Sequence, residues 1–508
     1  ALNPATGATL APVWPMAGTA EMNTAFAAAE AAITATRDLP GARWAELLEA
    51  IASELQAMAE PLIARAAAET ALPATPRLQG ELGRTTGQLR LFAALVREGS
   101  WVDAVIDPAL PERQPAPRPD LRRMLRPLGP VVVFGASNFP LAFGAAGGDV
   151  ASALAAGNPV LVKGHSNHPG TNELVARAIQ QALVACKQPA GLYALLQGSG
   201  RELGTAMVRH PAAAAVGFTG SQTAGRALAD AAAARPRPIP VFAEMGSLNP
   251  LVILPGALRQ RAPALATGLA GSVTMGAGQF CTKPGVVFVL DGPDTEPFLD
   301  QLAAKLAEAP AFTLLAGSLR DAFCGALAGY AAVPGVRVRV AAQANGHAGS
   351  RAALYETDAA TFQSQPALRH EAFGPATLVV RCANLPTLLA CLPSLDGNLT
   401  GSLHLGPDDS QDTVRAVSEA LAPWVGRLIY NGYPTGVEVC QAMVHGGPYP
   451  ATTDSRGTSV GTLAIARFAR PQCYQDAPAW LLPPALRNDN PLGLWRLVNG
   501  VRTRDPLT

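Results

Sequence analysis

Short apolar runs alternating with helical stretches mark this 508-residue chain as an α/β protein built on parallel sheets. Two further observations support that expectation. The length exceeds what one hydrophobic core normally serves, so two or more domains are expected. Hydrophobic residues make up 49% of the chain and charged residues only 15%, which argues against disorder and suits buried strands and helices.

Taken in order, the stretch from about Glu21 to Val105 is alanine-rich. Its apolar positions recur every three to four residues, the pattern of amphipathic helices. Pro108 to Pro119 is too proline-dense for regular helix or central strand. Beyond it, Val131–Phe134 and NPVLVK (158–163) read as buried strands, with Phe143 to Ala156 as a helical crossover between them. GLYALLQG, AAVGFTG and IPVFAEMG supply three more strands separated by helices. A second α/β series starts near Asn249 and includes VVFVL at 286–290. From about Arg467 the alternation is lost.

Charge and cysteine usage exclude several classes. With 39 Lys+Arg against 38 Asp+Glu the net charge is +1, and nucleic-acid or membrane-surface binders need a clear basic excess. Two long uncharged stretches, Pro127–Gly148 and Ala262–Thr282, carry Pro, Gly and polar residues; they read as buried strand–turn–helix segments, not membrane spans. The opening ALNPATGATLAPVW has no basic region followed by an apolar one, so no signal peptide is expected. Seven scattered cysteines without CxxC or Cys/His spacing suit a reducing cytoplasm and predict neither a disulfide framework nor a metal site.

Four segments carry chemistry. In GQFCTKPG, Cys281 stands in a Gly-flanked turn where a thiolate can be presented, although a bare cysteine is more often structural. Glu244 ends an apolar strand in FAEMGSLNP, a costly place for a carboxylate without a partner or a proton-transfer task. Asn138 follows a strand in GASNFP, where its amide can donate to a developing oxyanion or simply cap a helix. FTGSQTAG (218–225) is a turn into a helix, suited to a pyrophosphate. Singly, each has a structural alternative. Their order along the chain makes coincidence improbable.

Together with HEAFGP (370–375), these motifs resemble the aldehyde dehydrogenase superfamily over nearly the whole length. The segment from NGYPTGVEV to IARF, with NPLGLWRLVNG, resembles the branch of 2-oxoglutarate semialdehyde (2,5-dioxovalerate) dehydrogenases and NADP-dependent fatty-aldehyde dehydrogenases. The resemblance implies an aldehyde dehydrogenase fold in three parts. A Rossmann-like cofactor domain would span 1–110 and 128–247, and an α/β catalytic domain 248–445. A small β oligomerisation arm would come from 111–127 and 467–508, in a homodimer or homotetramer.

The resemblance also implies roles. Cys281 would add to the aldehyde as a thiohemiacetal, with Asn138 and the Cys281 backbone N–H holding the oxyanion. After hydride loss to the nicotinamide, Glu244 would activate water against the thioester, and His445 matches a histidine assigned a base role in the fatty-aldehyde relatives. Lys163 would bind the adenosine ribose, Gly220 and Ser221 the pyrophosphate, Glu371 the nicotinamide ribose, and Phe373 would flank the ring. NADP is expected as the preferred cofactor, with NAD as the alternative. Ser166 stands where many NAD-preferring members carry a repelling glutamate, and Arg201 matches a 2′-phosphate partner. Phe139, Phe143 and Ala146, spaced i, i+4 and i+7, would line the aldehyde tunnel on one helix face. The expected reaction is oxidation of 2-oxoglutarate semialdehyde. The alternatives are medium- or long-chain aldehyde oxidation, a thioester passed to CoA, and an inactive nucleotide-binding relative.

Overall fold

A computed structural model describes residues 1–507. The cofactor-side sheet runs Tyr193–Leu196, Val160–Lys163, Val131–Phe134, Ala215–Thr219, Val241–Glu244 in space, and every neighbouring pair is parallel. This is the doubly wound order, with the chain reversing direction across the sheet between Val131–Phe134 and Ala215–Thr219. Both faces are covered. Val131 and Val133 point into one apolar cluster while Val132 and Phe134 point into another, as the two-residue period of a strand requires.

The N-terminal helical expectation resolves into helices Thr19–Thr36, Gly41–Ala57, Ala59–Thr70 and Gln79–Glu98. Trp44, Leu47, Leu48, Ile51 and Leu55 form the buried stripe of the second helix. A second sheet, of seven strands, runs Arg337–Val340, Ala353–Asp358, Ala376–Cys382, Val286–Leu290, Leu251–Ile253, Asn398–His404, Val425–Tyr430. All its neighbours are parallel except the antiparallel edge strand Arg337–Val340.

A five-stranded small sheet joins Ala469–Gln475, Leu121–Pro127, Val105–Asp107, Arg496–Val498 and Val501–Thr503. It therefore takes in Val105–Asp107, earlier than the start at residue 111 expected for this element. The stretch 445–468 crosses back to the first domain, where Ala464, Ile465 and Phe468 enter its core.

Two expectations are corrected. The segment 143–156 is not one helix: Leu141–Ala145 is an irregular turn, with Phe143 at φ −127°, ψ 19° and Gly144 at φ −90°, ψ −148°, and the helix spans only Gly148–Ala155. Gly147 explains the tight packing, since a Cβ there would lie 2.5 Å from the Phe143 Cα. The Glu81 carboxylate accepts the backbone N–H groups of Leu141 (2.8 Å) and Ala142 (2.9 Å), which no helix satisfies. The uncharged stretch 262–282 contains no strand; it is the end of helix Pro255–Thr274 followed by a turn. No helix among the described residues is long and apolar enough to cross a membrane.

Candidate active site

Cys281 lies just beyond the turn Met275–Gly278, in which Gly276, Ala277 and Gly278 all have positive φ. At Gly278 a Cβ would lie 2.3 Å from the Gly374 backbone, so only glycine lets these two loops touch. Asn249 fixes the segment from beneath. Its Nδ2 donates to the carbonyls of Cys281 (2.8 Å) and Lys283 (3.0 Å). Asn398 holds Asn249 in turn, accepting the backbone N–H groups of Leu248 (2.9 Å) and Asn249 (3.1 Å). These buried amides turn a loop into a rigid platform.

Glu244, at the end of the last cofactor-side strand, and His445, on the returning segment, meet this platform. His445 Nε2 lies 3.4 Å from Cys281 Sγ and 3.0 Å from Glu244 Oε1. Both residues are almost fully buried, at 3% and 1% exposure. The Ser459 hydroxyl donates to the other Glu244 oxygen, and the Ser459 N–H donates 2.8 Å to the His445 carbonyl. The His445 N–H donates 2.8 Å to Thr458 Oγ1. Nδ1 of His445 has no partner among the described residues, and Nε2 makes both of the ring's contacts.

The electrostatics separate the two reactive groups. Burial opposes ionisation of Glu244, yet His445, Ser459 and Cys281 together hold its carboxyl below the usual carboxylate range. Burial, and then the Glu244 carboxylate, push the Cys281 thiol well above its ordinary value, while Arg84 pulls the other way. The resting pair is therefore a carboxylate beside a neutral thiol. The ligand atoms of Glu244, Cys281 and His445 all lie within 4.8 Å of one another, a proximity that sequence spacing did not reveal.

Asn138 donates from Nδ2 to the Gln279 carbonyl at 3.0 Å, which aims its amide at the Cys281 turn and leaves its second N–H for a ligand. Phe139, Phe143 and Phe280 build an apolar wall, with ring centroids 5.7 Å apart for Phe139–Phe143 and 5.0 Å for Phe139–Phe280. Ala146 is absent from this wall. It packs into the main cofactor-side core, because the irregular turn breaks the helical spacing on which its tunnel position rested.

The cofactor candidates gather at the carboxyl edge of the first sheet. Lys163 is 5% exposed, and burial alone draws its ammonium down to about 8. A Cβ at Gly200 would lie 3.8 Å from its Nζ, so the loop carrying Arg201 lies over this lysine. Ser166 and Arg201 are exposed on the same edge. Ser221 caps the helix Gln222–Ala233, accepting from Ala224 N at 3.3 Å, and Gly220 precedes it. Glu371 lies against Gly246, where a Cβ would come within 2.6 Å of its carboxylate. Burial pushes Glu371 up to about 7, against the pull of Lys283. Lys283 donates to the carbonyls of Ala372 (2.8 Å) and Ala376 (2.9 Å), and so holds the loop bearing Glu371 and the half-buried Phe373. A buried ammonium without an acid, a capped helix start and a recessed carboxylate suit the ribose and phosphate groups of a dinucleotide.

A model of the aldehyde dehydrogenase family matches residues 1–448. The chain belongs to the aldehyde dehydrogenase family. It is 53% identical over 493 residues to "Alpha-ketoglutaric semialdehyde dehydrogenase 2" of Azospirillum brasilense, covering 96% of this chain and 93% of that one. It is 45% identical over 469 residues to "Alpha-ketoglutaric semialdehyde dehydrogenase" of Acinetobacter baylyi, covering 91% of this chain and 87% of the relative. The solved glyceraldehyde-3-phosphate dehydrogenase GapN of Methanocaldococcus jannaschii, complexed with NADP, shares the fold with a TM-score of 0.79 at 20% identity. That match covers 93% of this chain and 98% of GapN. This aldehyde dehydrogenase is thus an enzyme that uses a nicotinamide cofactor.

Sequence reasoning missed Ser459, Lys283 and Arg84. Ser459 stands in the C-terminal signature, 215 residues from the carboxylate it contacts, so only the fold pairs them. Because its hydroxyl stabilises the charged form of Glu244, Ser459→Ala raises the Glu244 pKa. At a given pH less carboxylate is then present, so the acid limb of the kcat/KM–pH profile moves upward by about one pH unit. A limb that stays in place or moves down contradicts this role.

Proposed function

We propose that this enzyme oxidises 2-oxoglutarate semialdehyde to 2-oxoglutarate with NADP as preferred cofactor. The 53% and 45% identities to dehydrogenases bearing the α-ketoglutaric semialdehyde name, each over most of the chain, support the substrate. The observation that carries the chemistry is His445 Nε2 between Cys281 Sγ and Glu244 Oε1.

Cys281 Sγ bonds to the aldehyde carbon, and its proton leaves toward the His445–Glu244 pair. The oxyanion receives the free Asn138 amide N–H and the Cys281 backbone N–H; losing one such donor costs about 2.7–4 kcal/mol. A bound nicotinamide supplies the hydride acceptor. Once the hydride has left that carbon, Glu244 takes a proton from water as the water oxygen attacks the thioester carbonyl. The C–S bond breaks, the carboxylate product leaves, and the Cys281 sulfur regains its proton from the His445–Glu244 pair. Lys163 would hold the adenosine ribose, Gly220 and Ser221 the pyrophosphate, Glu371 the nicotinamide ribose, and Phe373 the ring. With Ser166 neutral and Arg201 cationic on the same edge, a 2′-phosphate meets a hydroxyl and a guanidinium.

The domain reading goes with this function: 1–110 and 128–247, apart from strand Val105–Asp107, bind the cofactor, 248–445 carry Cys281, and 111–127 with 467–508 and that strand bridge subunits. Trp480 at 77% and Val501 at 66% exposure leave apolar surface on this last part, which favours a homodimer or homotetramer. Free thiols at all seven cysteines suit a reducing cytoplasm. The apolar wall of Phe139, Phe143 and Phe280 favours a second reading, oxidation of medium- or long-chain aldehydes.

Two measurements test the proposal. The semialdehyde should show a higher kcat/KM than hexanal; equal or lower values assign the enzyme to aliphatic aldehydes. Arg201→Ala should raise the KM for NADP about tenfold or more. Unchanged NADP affinity, or better use of NAD by the native enzyme, contradicts the cofactor assignment.

A further inference from the structure

Two openings flank helix Gln79–Glu98, of about 460 Å³ and about 610 Å³, and Arg84 lines both. The first reaches Phe139 and Phe280, the immediate neighbour of Cys281. The second is bordered by Gln88, Val437 and Val439. Arg84 thus sits where solvent approaches the apolar wall of the site.

Its guanidinium has no committed partner. Nε and Nη2 are buried and make no hydrogen bond among the described residues. The other nearby arginines also leave Nε unpaired but commit their terminal nitrogens, whereas Arg84 leaves Nη2 unpaired as well. Arg77 pairs with Glu81 and donates to the Asn138 carbonyl at 3.0 Å. Arg427 donates to the carbonyls of Pro434 and Gly436 at 2.9 Å and 3.4 Å. Buried polar atoms are rarely left unpaired in folded proteins, and each exception calls for an explanation. Arg84 is held in place by apolar contact, its Cζ standing 5.7 Å from the Phe139 ring centroid and 5.3 Å from that of Phe143. Burial draws its pKa down, while Cys281, Glu81 and Glu244 raise it. Arg84 and Phe280, the residue before Cys281, line the same opening.

We propose that Arg84 is the receptor for the substrate's distal carboxylate. Resting on the semialdehyde reading above, the inference names the residue that distinguishes an α-keto acid aldehyde from an alkyl aldehyde. The five-carbon chain spans about 5 Å from aldehyde carbon to carboxyl carbon, four carbon–carbon bonds of roughly 1.5 Å in zigzag. With the aldehyde carbon at Cys281, the carboxylate and its neighbouring keto oxygen extend along the Phe139–Phe143 wall toward the guanidinium. The two unpaired N–H groups of Arg84 match a planar oxygen pair in the forked geometry that arginine offers and lysine does not. The phenylalanines exclude water along the methylene segment, which strengthens the charged contact at its end.

The test compares wild type, Arg84→Gln and Arg84→Lys on 2-oxoglutarate semialdehyde and on pentanal, a five-carbon aldehyde without a carboxylate. The readout is the ratio of the two kcat/KM values, with pentanal turnover reporting that each variant is folded. In Arg84→Gln this ratio falls about 10- to 150-fold, mostly through the semialdehyde KM, and Arg84→Lys retains part of it. A ratio that Arg84→Gln leaves unchanged overturns the Arg84 assignment while the substrate reading stands. A wild-type enzyme with no preference for the semialdehyde over pentanal overturns both.

Discussion

The arrangement of this enzyme depends on keeping the Glu244 carboxylate charged where water is scarce. Burying an unpaired carboxylate costs several kcal/mol, so the chain must supply partners from elsewhere. His445 and Ser459 do so, both delivered by the segment that crosses back from the second domain to the first. The same contacts place the base beside the Cys281 thiol. Three remote stretches of chain are therefore tied together by one charge, and the cleft between the two sheets closes around it.

The loops that carry the reacting atoms are held more firmly than their glycine content suggests. Asn249 and Asn398 pin the Cys281 turn to the second sheet, while Lys283 pins the Glu371 loop. Positive φ at Gly276 and Gly278 permits the close approach that these bonds then fix. Pre-positioned donors of this kind are what oxyanion stabilisation requires. The near-zero net charge fits the proposed reading, in which a few local cations do the binding: Lys163 and Arg201 for the cofactor, Arg84 for the substrate.

Much of this was legible in the sequence because it rests on local rules. Apolar runs bounded by Gly and Pro marked the strands, and strand ends are where α/β proteins put their chemistry, so Asn138 and Glu244 stood out, while Lys163 entered by resemblance. Cys281 emerged from its turn. His445 emerged only by resemblance, since nothing local distinguishes it from a loop histidine. Ser459, Lys283 and Arg84 were illegible for one reason: their significance lies in what they touch or fail to touch far away along the chain. Ala146 failed for the opposite reason. Its spacing assumed a helix, and the glycines at 144 and 147, with Glu81 capping the turn, made a kink instead.

The claim at the centre of this account is that Glu244 hydrolyses a thioester on Cys281. Stopped-flow absorbance of Glu244→Gln mixed with cofactor and aldehyde tests it directly. The account predicts a burst of one reduced nicotinamide per active site, followed by turnover slowed at least about 100-fold, with the acyl group retained on Cys281 by mass spectrometry. Steady turnover near the wild-type rate, or no acyl group on Cys281 after a burst, would contradict it.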